Sequence, residues 1–540
     1  MSDAKPGQVL DVLIVGAGFA GLYMLYKARR MGLTARVIEA AGGVGGTWYH
    51  NRYPGARVDI QSMEYSFQAF PGLQQAWHWT ERYAAQPELL RYAEHIAEHF
   101  ALRDGIDLDT RVSGAAFDEG AQCWRIKGTA GERWSARFLV LATGPLSAPN
   151  TPAFMGLKRF AGAVHHTARW PHTPVDFTGK RVAIIGTGSS AVQAIPVIAT
   201  LARDVTVFQR TAAYAVPAHN GPLAPAYEAR IKADYDGFRA RNRRMAAGIG
   251  CELPPNPQSA LTASAAELDA GFEARWQIGG FGFLGAFYDI LLDARANALA
   301  AEFIRGKIRA LVRDPATAAL LSPRHTLGCK RLCVDSGYYE SFNRGNVHLV
   351  DISEHPIDGI TPAGLRSNGR EYEFDTLVLA TGFDAMTGTL MRLDLRGRGG
   401  LTIQEKWRAG PLNYLGLTIA GFPNLFNIGG PGSTSAFTNL TLSIEHHVDW
   451  IGDCIAHMDA AGHATIEATD EAEADWIAHV NAVARRTLFL TCNSWYLGAN
   501  IPGKPRMFMP LVGFPAYADR CAEVARSAYA GFVLARDMRQ

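Results

Sequence analysis

Two glycine-rich turns hold the residues best placed to do chemistry. In the first, the apolar run Asp11 to Val15 leads into Gly16, Gly18 and Gly21, a spacing that turns a strand into a helix and lets backbone amides approach a pyrophosphate. The next apolar run, Ala35 to Ile38, ends at Glu39. A carboxylate there accepts hydrogen bonds from both ribose hydroxyls and repels a 2′-phosphate, which predicts FAD or NAD. The second turn, Gly186-Thr187-Gly188-Ser189-Ser190, follows the run Lys180 to Ile185, and its second strand delivers Arg210 and Thr211. A guanidinium at the ribose position captures a phosphate through paired donors, so this turn predicts NADP. Residues Thr187 to Gln193 open the following helix and are expected to offer backbone amides to the second pyrophosphate. Two nucleotides in one chain imply electron transfer between them.

Elements that must position these residues follow from the pattern. Strands alternating with helices predict an α/β, two-dinucleotide-binding (Rossmann-like) flavoprotein. The matching runs Phe138 to Gly144 and Thr376 to Gly382 each end in Ala-Thr-Gly and read as the seams between nucleotide units. Helical periodicity replaces strand character from about Pro222 to Leu321, in Glu228 to Tyr235 and Leu291 to Arg305. The expected organisation is an FAD-binding domain from 1–146 and 386–540, an NADP-binding domain from 147–221 and 325–385, and a helical insertion at 222–324.

Composition narrows the class. The 540 residues allow roughly three to four ordinary domains. With 53 basic and 51 acidic residues, the net charge of +2 gives no pull toward nucleic acid or an anionic membrane. The N-terminus lacks an apolar signal region, and no run reaches the ~18 apolar residues of a membrane span. Seven cysteines without a secreted spacing predict reduced thiols and a cytoplasmic location, with Cys329 and Cys333 inert and no metal site. Small-molecule partners and a monomer or weak homo-oligomer are expected.

The segment after the first nucleotide unit sharpens the chemistry. Two-dinucleotide disulfide reductases place redox cysteines where this chain has Trp48 and Tyr53, so electrons must leave the flavin for oxygen or a carbonyl substrate. Residues Phe160, Gly162, His166, Trp170 and Pro171 match the FxGxxxHxxxW(P/D) fingerprint of type I Baeyer–Villiger monooxygenases. Gly45 to Asp59 matches their second signature, (A/G)GxWxxxx(F/Y)P(G/M)xxxD, in full. Pro171 separates the chain from flavin-containing monooxygenases that oxidise amines and sulfides, which usually carry Lys there. The resemblance extends through Tyr83 to Leu90 and Cys492 to Arg506, and 51–59 and 432–437 are most similar to the phenylacetone monooxygenase branch.

That resemblance implies FAD, NADPH and O₂ acting on a ketone to give an ester or lactone, through a C4a-peroxyflavin and a tetrahedral adduct. It implies that Arg331 is the cation beside the flavin, a task suited to a group that stays protonated and offers directed donors. Asp59 orients it. Phe19, Glu39, Thr47, Trp48, Asp59 and Tyr65 match positions around the flavin, and Val112 matches a position facing adenine. Lys330, Arg210 and Thr211 are expected on the 2′-phosphate. The resemblance gives His166 a role in positioning the interdomain linker, and places Trp495 on a loop that closes over NADP. Oxygenation of amines or sulfides, or a redox sensor without turnover, are the competing readings. The apolar stretches Gly279 to Phe287, Ser435 to Thr438 and Met507-Phe508 could form ketone-pocket walls or core.

Overall fold

Each glycine-rich turn lies where a sheet of parallel strands reverses its direction of growth. The computed structural model describes residues 8–250, 252–506 and 513–536. In the first sheet Val9–Val15 is flanked by Ala35–Ile38 on one side and Arg133–Leu141 on the other, all parallel. Antiparallel strands Cys123–Gly128 and Val112–Asp118 extend the far edge. Two strands from beyond residue 386, Asp394–Arg396 and Leu425–Asn427, pair in parallel with Val112–Asp118 and Arg133–Leu141. The C-terminal part of the chain therefore returns to this sheet. Its long helix Leu440–Ala461 packs on the helix Phe19–Arg30, where Tyr23 and Lys27 both reach Asp449, at 2.6 and 3.0 Å.

The second sheet is wholly parallel, in the order Val347–Asp351, Asp204–Gln209, Arg181–Ile185, Thr376–Leu379, Ala163–His166. Strands buried on both faces need apolar side chains at nearly every position, which is how Arg181–Ile185 and Thr376–Leu379 read. The two switch points share one geometry. Gly16 has φ +107° and Gly186 φ +114°, and a Cβ would fall 2.6 Å from Ala142 O in one and 2.4 Å from Ala380 O in the other. Each Ala-Thr-Gly element thus backs the first glycine of its own fingerprint, and only a residue without a side chain fits the turn.

Within 222–324 the helices have ends set by caps. The first divides at Asp234 into Pro225–Ala233 and Tyr235–Arg243, because the Asp234 carboxylate accepts from Gly237 N (2.9 Å). Another starts at Ala294, capped by Asp293, and not at Leu291. Ser264 and Glu267 form a reciprocal capping box on Ala265–Ile278. The segment packs into two cores. Ile231, Tyr235 and Phe238 join the core of the first sheet, whereas Phe272, Trp276, Phe283 and Phe287 join that of the second.

Cysteine chemistry differs from the expectation. Cys329 is disulfide-bonded to Cys492, 163 residues away, so it is not an inert thiol. Local spacing carried no sign of this, because folding alone brings the two segments together. Cys333, Cys454 and Cys521 are buried thiols outside any disulfide. Among the described residues there is no group of metal-ligating side chains and no helix long and apolar enough to cross a membrane.

Candidate active site

A cavity of about 500 Å³ opens at the first switch point, and Gly16, Gly18, Phe19, Glu39, Thr47, Trp48, Tyr65 and Val112 all line it. Gly21 does not. A Cβ there would sit 1.8 Å from Gly16 O, so its role is to bring helix and strand together. Glu39 is buried, and its two carboxylate oxygens accept from Ala17 N and Ala41 N, each at 2.7 Å. Burial raises its pKa, and these two amides act the other way. They also fix the carboxylate in place with lone pairs left for ribose hydroxyls. Trp48 Nε1 donates to Tyr65 Oη at 3.3 Å, so the two aromatic rings hold each other at the cavity wall.

Three arginines that sequence reasoning missed, Arg111, Arg169 and Arg392, line the same cavity, and none makes an ion pair among the described residues. His50 lies among them, and burial followed by Arg169 pushes its pKa down to about 4. A neutral histidine is the response of a site already rich in positive charge. Cations without carboxylate partners, backbone amides at a helix start and a buried acid near the strand end form a donor set matching a dinucleotide with its diphosphate. No motif marks these arginines in the sequence.

At the second switch point Thr187 Oγ1 donates to Thr211 O (2.6 Å), which joins the turn to the loop carrying Arg210. Arg210 is exposed and close enough to Lys330 to disfavour its charge: burial, then Arg210, lowers the Lys330 pKa. Neither forms an ion pair among the described residues, and two adjacent cations in that state suit a phosphate. Ser189 Oγ lies 3.6 Å from Cys333 Sγ. Gly188 and Ser190 stand at the same helix start. Gln193 is directed elsewhere, since its carboxamide accepts from Tyr53 Oη (2.8 Å) and donates to Arg57 O (3.1 Å). That side chain joins the two nucleotide units.

Between the sites Arg331 meets Asp59 in a two-pronged ion pair, Nε to Oδ2 at 2.7 Å and a terminal nitrogen to Oδ1 at 2.9 Å. Its other terminal nitrogen donates to Ala436 O at 3.0 Å, and Phe281 lies under the guanidinium with its centroid 4.7 Å away. Burial opposes the charge, but Asp59 and a hydrogen bond with Tyr496 outweigh it and raise the Arg331 pKa. The guanidinium is permanently cationic. Tyr496 was not singled out from sequence; its signal was adjacency to Trp495, whose ring packs 4.3 Å from it.

The fingerprint residues divide into packing and strapping groups. Phe160 is in the core under the second sheet, and a Cβ on Gly162 would lie 2.3 Å from Asp375 O and 2.7 Å from the Phe160 ring. His166 accepts from Ala168 N through Nδ1 (3.0 Å), while Nε2 lies 3.2 Å from both Asn150 O and Thr381 Oγ1. It therefore ties the linker at 150 to the Ala-Thr-Gly seam at 381. Burial lowers its pKa, consistent with a neutral ring carrying its proton on Nε2. Trp170 is buried and its backbone N donates to His50 O at 3.2 Å, with Pro171 following at the boundary.

The candidate pocket walls separate in the same way. Phe283 and Phe287 are fully buried in the aromatic core. Gly279, Gly280 and Phe281 instead line a smaller pocket with Asp59, Tyr83, Ile249 and Leu253. Phe437 packs against Tyr496, with centroids 4.4 Å apart. Met507 and Phe508 lie outside the described residues.

Residues 13–244 match the family model described as pyridine nucleotide-disulphide oxidoreductase. The chain is 42% identical to a Baeyer–Villiger monooxygenase of Pseudooceanicola batsensis, covering 98% of this chain and 96% of that one. It is 41% identical to the phenazine N-monooxygenase PhzNO1 of Lysobacter antibioticus, over 98% and 97%. Among solved structures it is similar to an oxidized steroid monooxygenase bound to NADP, with a TM-score of 0.93 and 51% identity, covering 98% of this chain and 100% of that chain.

Proposed function

The chain belongs to the Baeyer–Villiger monooxygenase family, and on that premise we propose that it uses FAD, NADPH and O₂ to insert one oxygen atom beside a ketone carbonyl, giving an ester or lactone. FAD would lie in the cavity at the first switch point and NADPH at the second. Bound flavin supplies the redox centre that accepts hydride from NADPH and passes an oxygen atom from O₂ to the substrate.

The protein's own part is electrostatic and positional. Arg331 places donors where negative charge develops as the carbonyl carbon becomes tetrahedral, and it needs no proton uptake to do so. Asp59 fixes its direction through the paired hydrogen bonds at 2.7 and 2.9 Å. Ala436 O takes one N–H of the other terminal nitrogen, which leaves one orientation for the group and further N–H donors unused. Arg210 and Lys330 hold the 2′-phosphate, with Thr211 beside them. His166 keeps linker and seam in register, and Trp495 with Tyr496 covers the reacting region from water. The uncharged ketone meets the pocket of Phe281, Ile249 and Leu253 beside Asp59.

The observation that carries this reading is the fixed, permanently charged Arg331 between two nucleotide sites, one with an acid and one with a cation at its ribose end. The test is turnover by purified, FAD-loaded protein under ¹⁸O₂ with NADPH and a panel of cyclic, aryl and aliphatic ketones, beside an aromatic N-heterocycle. Ester or lactone carrying one labelled oxygen is expected. NADPH consumption with only N-oxide or hydrogen peroxide as product would refute it.

A further inference from the structure

We propose that Cys329 and Cys492 form a thiol–disulfide exchange site whose oxidation state sets how firmly the 488–506 segment is held over Arg331. The proposal rests on the function given above only for what the segment covers.

The cross-link joins two segments that the reaction needs together. Cys329 immediately precedes Lys330 and Arg331, and Cys492 precedes Ser494, Trp495 and Tyr496. Tyr496 in turn lies close enough to Arg331 to favour its charge and packs on Phe437, whose neighbour Ala436 accepts from Arg331. A covalent bond therefore closes a ring of contacts around the guanidinium.

The two ends of the segment are held differently. At the far end Lys504 Nζ pairs with Asp384 Oδ1 at 2.6 Å and donates to Ala385 O at 2.7 Å, and Asn500 Nδ2 donates to Phe383 O at 2.7 Å. At the near end the polar ties are Thr491 Oγ1 to Thr326 Oγ1 (2.8 Å) and Leu488 N to Leu291 O (3.0 Å). The threonine bond is exposed, and water replaces such a bond at little cost. Regular structure between these ends is confined to two short 3₁₀ turns, Leu488–Thr491 and Trp495–Leu497. Phe489 also packs on Phe437 (centroids 5.0 Å), so the disulfide is the covalent restraint at the near end, and cutting it loosens that end while the far end stays anchored.

The two cysteines also differ in access. Cys329 is 1% exposed, whereas Cys492 is partly exposed. A small dithiol attacks the Cys492 sulfur: a new S–S bond forms to the reductant, the Cys329–Cys492 bond breaks, and its electron pair leaves on Cys329, which takes up a proton. The second thiol of the reductant then displaces Cys492. Two electrons and two protons pass to the protein, and the reductant departs as its own disulfide. The thiol of Cys333, four residues after Cys329, does not compete, since burial pushes it up to about 11.

The test uses the full-length, FAD-loaded protein. Alkylation under denaturing conditions, without reductant, should leave two cysteines unlabelled that become labelled after reduction, and a peptide map should contain the Cys329–Cys492 cross-link. Dithiothreitol on the native protein should expose 488–506 to limited proteolysis and raise both the KM for NADPH and the share of NADPH lost as hydrogen peroxide, on the order of fivefold. Cys492→Ser should reproduce this without reductant and respond no further to it. Full labelling before reduction would overturn the proposal, as would unchanged proteolysis and KM after it. Thiol count and proteolysis need no turnover, so failure to form ester would count against the activity alone.

Discussion

Asp59 and Arg331 stand 272 residues apart in sequence and meet through two parallel hydrogen bonds of 2.7 and 2.9 Å. The pair joins the motif that follows the first nucleotide unit to the loop that closes the second. Asp59→Ala leaves a buried guanidinium without its acid and free to rotate. Ester formation should fall about 10²- to 10³-fold, the usual effect of misplacing a donor aimed at developing charge. Flavin reduction by NADPH should persist. Arg331→Lys should not restore activity, because an ammonium cannot reproduce the fork. Stopped-flow flavin reduction measured beside ester yield checks this, and equal losses in both half-reactions would remove the pair from the oxygenation step.

Arg210 and Lys330 give the second prediction. Burial, then Arg210, lowers the Lys330 pKa, and a dianionic phosphate between the two cations relieves their repulsion. Arg210→Ala should raise the KM for NADPH by about 10- to 100-fold, one charge-assisted contact, and leave the KM for NADH nearly unchanged. Comparable changes for both coenzymes would place the phosphate elsewhere.

The acid at the first ribose position makes a third. Glu39→Gln exchanges one acceptor oxygen for an amide that must face Ala17 N or Ala41 N, donor against donor. FAD affinity should drop about 10- to 100-fold through the loss of charge-assisted bonds to ribose. The ratio of bound flavin to protein after desalting measures it, and full retention would mean that Glu39 serves only the turn.

Local motifs were legible because their chemistry is local. A glycine turn needs a positive φ and close backbone contact within a few residues, so Gly16, Gly186 and the residues that end the following strands, Glu39 and Arg210, can be read along the chain. The two Ala-Thr-Gly elements also repeat as strings, although only the fold shows that Ala142 and Ala380 back the two glycines. Contacts between distant segments left no such trace. The Cys329–Cys492 bond, the Arg331–Tyr496 contact and the gathering of Arg111, Arg169 and Arg392 depend on how segments far apart in sequence meet. Phe281 and Phe283 show the same limit within one stretch. Two aromatic residues two positions apart face a pocket and the core respectively, and apolar character alone does not say which.

The last prediction concerns Glu64, which is 2% exposed and whose carboxylate accepts from Gly250 N at 3.1 Å. Burial raises its pKa from 4.5 to about 8, and the single amide bond offsets only part of that rise. In the unfolded chain the group ionises near 4.5, so between that pH and about 8 the folded state holds a proton that the unfolded state has lost. The folded state binds more protons there, and stability therefore decreases as pH rises. The contribution is fully present below the unfolded value and is gone once pH passes the folded one. Its size is on the order of a few kcal/mol. Glu64→Gln keeps an acceptor for Gly250 and removes the titration, so the variant should lose less Tm than the parent between pH 6 and pH 9 in scanning fluorimetry. Asp335, raised to about 7 by burial, titrates in the same window but is common to both proteins and cancels in the comparison. Parallel Tm curves across that range would show that Glu64 is ionised in the folded protein and that Gly250 and its surroundings solvate it.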